Sequence, residues 1–277
     1  MIINEKNLNG VISSLEKPRD EAGNKGTFGK LCVLSGSANF RGCASLCASA
    51  ALRSGCGIVR LCSVERVCAA VSAARPEVTF YVTDEKDGVM KYNPEAVDSA
   101  LDGCDAIVIG PGMGVNEETL GFTRHVLCRT TPTVLDADAL NVISKYDKGT
   151  VIKGTNTVIT PHIGEMARLT GLDINYVREN REKVAVDFAK KQGIVVVLKD
   201  AVTTVTDGEK VYNVDIKNSG LSKGGTGDVL CGRIGSYLSQ GYAPLEASLL
   251  SVLKNAEKGL ELKDIVGAEY MLPGDLV

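Results

Sequence analysis

The sequence predicts an α/β fold: a mostly parallel sheet covered by helices on both faces. Three observations predict it. Short, continuous apolar runs rich in Val, Ile and Leu alternate with helix-period segments, which is the pattern of strands buried on both faces. No low-complexity linker or internal repeat breaks the alternation, so residues 1–277 read as one domain. A chain of 277 residues is also long enough to bury a sizeable core.

Each element follows from its local pattern. "GKLCVLSG" (29–36) reads as a buried strand, and the small-residue segment "RGCASLCASAALRSG" (41–55) as the helix after it. Further strands are expected at 57–63, 77–83, 105–110, 133–138, 156–160 and 193–200, with helices at 64–74, 94–102, 116–129, 138–145, 163–170 and 175–192. "AVTTVTDGEKVYNV" (201–214) changes the rhythm: two short alternating strands flank Asp207-Gly208, a hairpin signal. Apolar residues at Val229, Leu230, Ile234, Tyr237 and Leu238 mark a helix that starts near Thr226, with Gly241 as its terminator.

Composition excludes several function classes. The net charge of -3 offers neither a nucleic-acid footprint nor a polybasic membrane patch. No apolar run approaches the roughly eighteen residues of a membrane span. "MIINEKNLNG" lacks the pattern of a secretion signal, so a cytoplasmic location is expected. The nine cysteines (32, 43, 47, 56, 62, 68, 104, 128 and 231) contain no C-x-x-C pair, and only two histidines are present to complete a site. Most sit among apolar residues, where a free thiol behaves as a small core side chain.

In an open parallel sheet, ligands bind beyond the carboxyl ends of the strands. Four loops there carry candidate chemistry. They are "SGSANFRG" (35–42), "GPGMG" (110–114), "LDADALN" (135–141) with Asp136 and Asp138, and "TPHIGEMARL" (160–169) with Thr160, Pro161, His162 and Glu165. Each also has a plain structural reading: Asp138 as a helix cap, Glu165 as a first-turn acid complementing the helix dipole. "GPGMG" does not have the spacing of a dinucleotide fingerprint.

"NSGLSKGGTGDVLCGRI" (218–234) is more specific. Gly224, Gly225 and Gly227 around Thr226 leave backbone N–H groups free at a helix N-terminus, where the dipole favours an anion. No Gly-Lys-Ser/Thr closes it, so it is not a P-loop. A carboxylate beside an anion site weakens anion binding, so Asp228 needs a reason. A general base taking a hydroxyl proton during phosphoryl transfer supplies one; a dipole partner is the alternative.

These residues carry a resemblance. A "GGTGD" turn opening a late helix resembles the anion hole and base of the ribokinase-like superfamily, which implies a three-layer sandwich. "SGSANFRG", "AALRSGCGIVRL", "IGPGMG", "LDADALN", "TPHIGEMARLTG", "VVVLKDAVTTV" and "NSGLSKGGTGDVLCGRI" together resemble the ADP/ATP-dependent (S)-NAD(P)H-hydrate dehydratases, from about Lys30 to Gly241. The resemblance implies phosphorylation of the hydroxyl of hydrated NADH or NADPH, then elimination of phosphate. It implies ADP or ATP as phosphoryl donor, Mg2+ with the nucleotide, and a homo-oligomer, a tetramer.

Residue by residue, the resemblance places Lys199, Asp200, Ala201, Val202, Thr203 and Gly227 at the nucleotide. It places Cys43, Gly114, His162 and Asp228 at the substrate, and Gly224, Gly225, Thr226 and Gly227 at the anion hole. No protein-ligated metal is implied, and the epimerase domain fused to some relatives is not expected within 1–277. The chain departs from the family at Asp200 (usually Gly), Ile163 (usually Pro) and Cys43-Ala44 (usually Ala-Pro), and its C-terminal segment from Ser251 onward lacks the usual motif. A small-molecule kinase of the same superfamily and a non-catalytic nucleotide-binding protein are the competing readings.

The cysteine spacing carries an expected outcome. Elemental analysis of the purified protein should find no stoichiometric zinc; about one zinc per chain would overturn the reading of these thiols as core residues.

Overall fold

The computed structural model describes residues 1–147, 152 and 156–277. The strands are β1 (Ile2–Ile3), β2 (Lys30–Leu34), β3 (Ile58–Val64), β4 (Thr79–Thr83), β5 (Glu85–Lys86), β6 (Val89–Met90), β7 (Ala106–Ile109), β8 (Thr133–Leu135), β9 (Thr157–Ile159), β10 (Val195–Leu198), β11 (Thr203–Thr206) and β12 (Val211–Val214). The helices are α1 (Leu8–Leu15), α2 (Gly42–Arg53), α3 (Glu65–Ala74), α4 (Pro94–Leu101), α5 (Glu117–Leu127), α6 (Asp138–Tyr146), α7 (Ile163–Thr170), α8 (Ile174–Glu179), α9 (Arg181–Gln192), α10 (Thr226–Ser239) and α11 (Pro244–Val266).

Ten strands form one sheet in the order β1-β12-β11-β10-β9-β8-β7-β2-β3-β4. From β4 to β10 every pairing is parallel; β11–β12 is the expected hairpin, and β11 also pairs antiparallel with β10. Helices α1, α2, α3, α10 and α11 pack on one face, and α4 to α9 follow one another across the other. The sheet is therefore the middle of three layers. Leu31, Val33, Ile107, Val108 and Ile109 are fully buried, as strands covered on both faces require.

Several features differ from the sequence expectation, among them helix α1 over residues for which no element is expected. Ile2–Ile3 extends the sheet edge beside Asn213 and Val214, and two residues are too few to show a period. Glu85–Met90 forms a small hairpin through Asp87 and Gly88, both at positive φ (52° and 83°), the geometry of an Asp-Gly turn. The segment read as one helix over 175–192 breaks at Asn180, because Asp173 caps a short helix of its own. The C-terminal segment forms the 23-residue helix α11, followed by a tail that turns back onto α10.

Helix α10 lies unusually close to its neighbours. A Cβ on Gly232 would run into the carbonyl oxygen of Cys47 in α2, and one on Gly235 would meet Val108 of β7. This contact sets the position of the α10 N-terminus. Among the described residues no helix is long and apolar enough to cross a membrane.

Gly232→Ala should therefore lower stability, by about 1–3 kcal/mol as for other overpacked interiors. The midpoint of urea unfolding reports it; an unchanged midpoint would contradict the close helix–helix approach.

Candidate active site

Strand order reverses between β2 and β7: the strands run outward from β2 through β3 to β4, then resume on the other side of β2 at β7. The crevice at such a switch point is where parallel sheets bind ligands. The loops leaving β2 and β7, "SGSANFRG" and "GPGMG", meet there, and the α10 N-terminus closes the crevice.

Gly225 caps α10 with φ 107°, a left-handed conformation suited to glycine. The N–H groups of Gly225, Gly227 and Asp228 have no hydrogen-bond partner among the described residues. Free N–H groups at a helix N-terminus, together with the helix dipole, are a geometry that favours an anion. A side chain on Gly225 would also collide with Leu46 and crowd Pro273 of the C-terminal tail, whereas Gly224 faces open space. The glycine at 225 thus serves packing as well as the left-handed cap. Lys223 does not point at the free N–H groups: its ammonium donates to the carbonyls of Glu269 and Met271, at 2.6 Å each, and holds the tail.

Beneath this N-terminus lies an ion pair. Asp136, fully enclosed at the end of β8, accepts from Lys199 Nζ at 2.8 Å and from Thr160 Oγ1 at 2.7 Å. Lys199 follows β10, and a Cβ on Gly227 would sit 3.3 Å from its Nζ. The ammonium is therefore placed directly below the free N–H groups. Ala137, between the two acids, is held at φ 48°, one of two non-glycine residues at positive φ among those described. Such strain clusters at functional sites. It lets Asp136 turn toward Lys199 while Asp138 Oδ2 accepts from the Gly114 N–H at 2.8 Å. Asp138 is thus the first residue of α6 rather than its cap, and it fixes the "GPGMG" loop.

Two cavities flank the α10 N-terminus. One, of about 460 Å³, is lined by His162, Lys199, Asp200, Ala201 and Thr203, by Thr226 and Gly227, and by the apolar Val214, Ile216, Leu230 and Val252. The other, of about 710 Å³, is lined by Phe40, Cys43, Gly114, Asp138, Gly224, Gly225 and Asp228. Among the sequence candidates, Val202 is buried and does not line the first cavity. His162, assigned by resemblance to the substrate, lines the cavity of Lys199 rather than that of Cys43 and Asp228. It is carried there by a parallel bridge to Lys199, and its Nδ1 accepts from the Gly164 N–H at 3.0 Å while Glu165 accepts from its own N–H at 2.9 Å. That reciprocal cap accounts for Glu165.

Charge is distributed to match. Burial would raise the Asp136 carboxyl, but the charge and hydrogen bond of Lys199 outweigh it and hold Asp136 below the ordinary range. For Lys199, burial opposes the charge, yet Asp136 wins and the ammonium stays protonated. Asp228 is pushed up to about 7 by burial first and by the charge of Asp136 second. A carboxylate near 7 is suited to take and return a proton at neutral pH. The Cys43 thiol is pushed up to about 11 by burial and then by Asp228, so it stays neutral. Six of the nine cysteines are buried, and all nine are free. Among the described residues no group of three or more His, Cys, Asp or Glu side chains gathers to hold a metal ion.

Sheet order and helix layers define a ribokinase-like fold. The profile of the NAD(P)H-hydrate dehydratase family matches residues 31–277, and the chain belongs to that family. It is 34% identical over 267 residues to an ADP-dependent (S)-NAD(P)H-hydrate dehydratase of Neisseria meningitidis, covering 94% of this chain and 86% of that one. A crystal structure of the ADP/ATP-dependent NAD(P)H-hydrate dehydratase of Bacillus subtilis, co-crystallised with ATP/Mg2+, superposes with a TM-score of 0.82 at 31% identity, covering 96% and 92% of the two chains. The bifunctional NAD(P)H-hydrate repair enzyme Nnr of Escherichia coli is 33% identical over 96% of this chain. The chain spans about half the length of such bifunctional relatives, 49% in that case.

The charge arrangement generates a pH prediction. A carbon-13 NMR titration of the Asp228 carboxyl should give a midpoint near 7. In Asp136→Asn that midpoint should fall, because a repelling charge is gone and Lys199 remains. An Asp228 midpoint near 4 in the unaltered protein, the ordinary carboxylate value, would contradict the arrangement.

Proposed function

We propose that this chain catalyses the ADP- or ATP-dependent dehydration of the S epimer of hydrated NADH or NADPH. One observation carries the proposal: the two cavities share the α10 N-terminus, with Lys199 on one side and Asp228 on the other. A phosphoryl donor in the first cavity and a hydroxyl acceptor in the second would meet at the free N–H groups of Gly227 and Asp228. Family membership names the acceptor class.

The chemistry balances on these residues. Asp228 takes the proton as the substrate hydroxyl attacks phosphorus, and the bond from phosphorus to the nucleotide breaks. Hydroxide is a poor leaving group and phosphate a good one. The carbon–oxygen bond then breaks with its electron pair going to phosphate, the neighbouring ring carbon gives its proton to the departing phosphate, and the dihydronicotinamide is restored. The N–H groups and Lys199 stabilise the negative charge that builds on the transferring group.

Magnesium fits this site as a companion of the nucleotide. Among the described residues there is no closed ligand set, and Mg2+ characteristically keeps several waters and binds phosphates with one or two carboxylates. Asp200, exposed at the rim of the first cavity, is the carboxylate available there, and the ion would neutralise phosphate charge. A homo-tetrameric state and a cytoplasmic location accompany the family resemblance.

The test is to mix the protein with ADP or ATP, magnesium and hydrated NADH and follow the return of dihydronicotinamide absorbance. Asp228→Asn should reduce turnover about a hundredfold or more, the usual loss with a general base, while ADP still binds because a negative charge near the phosphates is removed. Accumulation of a stable phosphate ester would instead mark a kinase. Nucleotide binding without any turnover would mark a protein that has lost catalysis.

A further inference from the structure

Asn255 stands in the middle of α11, only 6% exposed, and lines the cavity assigned above to the nucleotide. Its side-chain amide makes no hydrogen bond among the described residues, and Oδ1 is enclosed without a partner. Buried polar side chains almost always have a partner, so an orphaned one lining a cavity asks for a ligand. Val214, Ile216, Leu230, Val252 and Ala256 line the same cavity, and the polar Asn218 beside them is committed to the Gly259 carbonyl and the Gly220 N–H.

The cavity is amphipathic in the sense a nucleotide requires. Lys199 and the N-terminus of α10 serve the charged end. The apolar walls suit a flat base, and its volume of about 460 Å³ lies in the range of small-ligand pockets.

We propose that Asn255 is the residue that reads the base, its carbonyl accepting a hydrogen bond from the exocyclic amine of adenine. Adenine presents that amine as a donor beside a ring nitrogen acceptor, and an amide supplies the complementary pair. Rotation about χ2, a soft two-fold torsion, exchanges the amide oxygen and nitrogen and turns the carbonyl toward the cavity. Asn255 lies 27 residues beyond Asp228 and acts on binding, not on the reacting atoms. The proposal rests on the nucleotide reading of this cavity.

The experiment titrates ADP, and purine riboside 5′-diphosphate lacking the amine, into the unaltered protein and into Asn255→Leu. The unaltered protein should prefer ADP by roughly tenfold, the effect of one or two neutral hydrogen bonds. Asn255→Leu should bind the two ligands alike. Its melting temperature without ligand should hold or rise, since an apolar group of similar size replaces an unpaired amide. Asn255→Ala, which only removes atoms, gives the same comparison should leucine not fit. A folded variant that keeps both the ADP affinity and the preference for ADP would overturn the proposal and leave the nucleotide site standing. Failure of the unaltered protein to bind either ligand would take down the site and the proposal together.

Discussion

The ion pair between Asp136 and Lys199 is the constraint on which the site depends. It joins the ends of β8 and β10, whose residues are 63 apart in sequence, and sits under the N-terminus of α10. A buried charge pair adds little net stability, but removing one partner strands the other at a cost of about 3–5 kcal/mol. The pair also sets two opposite electrostatic conditions within one small volume. Lys199 gives positive charge beside the place where phosphate would lie. Burial first and the charge of Asp136 second push the neighbouring Asp228 up to about 7, the range in which a carboxylate can take and return a proton.

Packing holds this arrangement from the far side. Because Gly232 brings α10 against α2, the helix cannot slide along its axis without colliding with the Cys47 carbonyl. The C-terminal tail adds a second restraint. Lys223 binds its carbonyls, Arg233 Nη2 donates to the Leu276 carbonyl at 2.9 Å, and Met271 and Leu276 pack with Ala50 and Val229. The C-terminal tail thus braces the glycine turn at the start of α10.

Much of this was legible in the sequence because it is local. The buried strands announce themselves as continuous apolar runs, and α10 by glycines before a helical period. The Asp87-Gly88 turn carries the same signal as Asp207-Gly208, but strands of two residues each show no alternation beside it. The pairing of Asp136 with Lys199, the side of the site on which His162 falls, and the unpaired amide of Asn255 are products of topology. Nothing within a few residues of any of them encodes them. Asp138 shows the limit from the other direction: its place before a helix suggests a cap, and only the fold reveals Gly114 as its partner.

The central claim is that the substrate hydroxyl itself attacks phosphorus at the α10 N-terminus. Hydrated NADH carrying oxygen-18 in that hydroxyl tests it directly. After turnover with ATP, mass spectrometry of the released inorganic phosphate should find the label in it, one oxygen-18 per dihydronicotinamide formed. Label appearing in water, with unlabelled phosphate, would show that the hydroxyl leaves without ever bonding to phosphorus and would contradict the account.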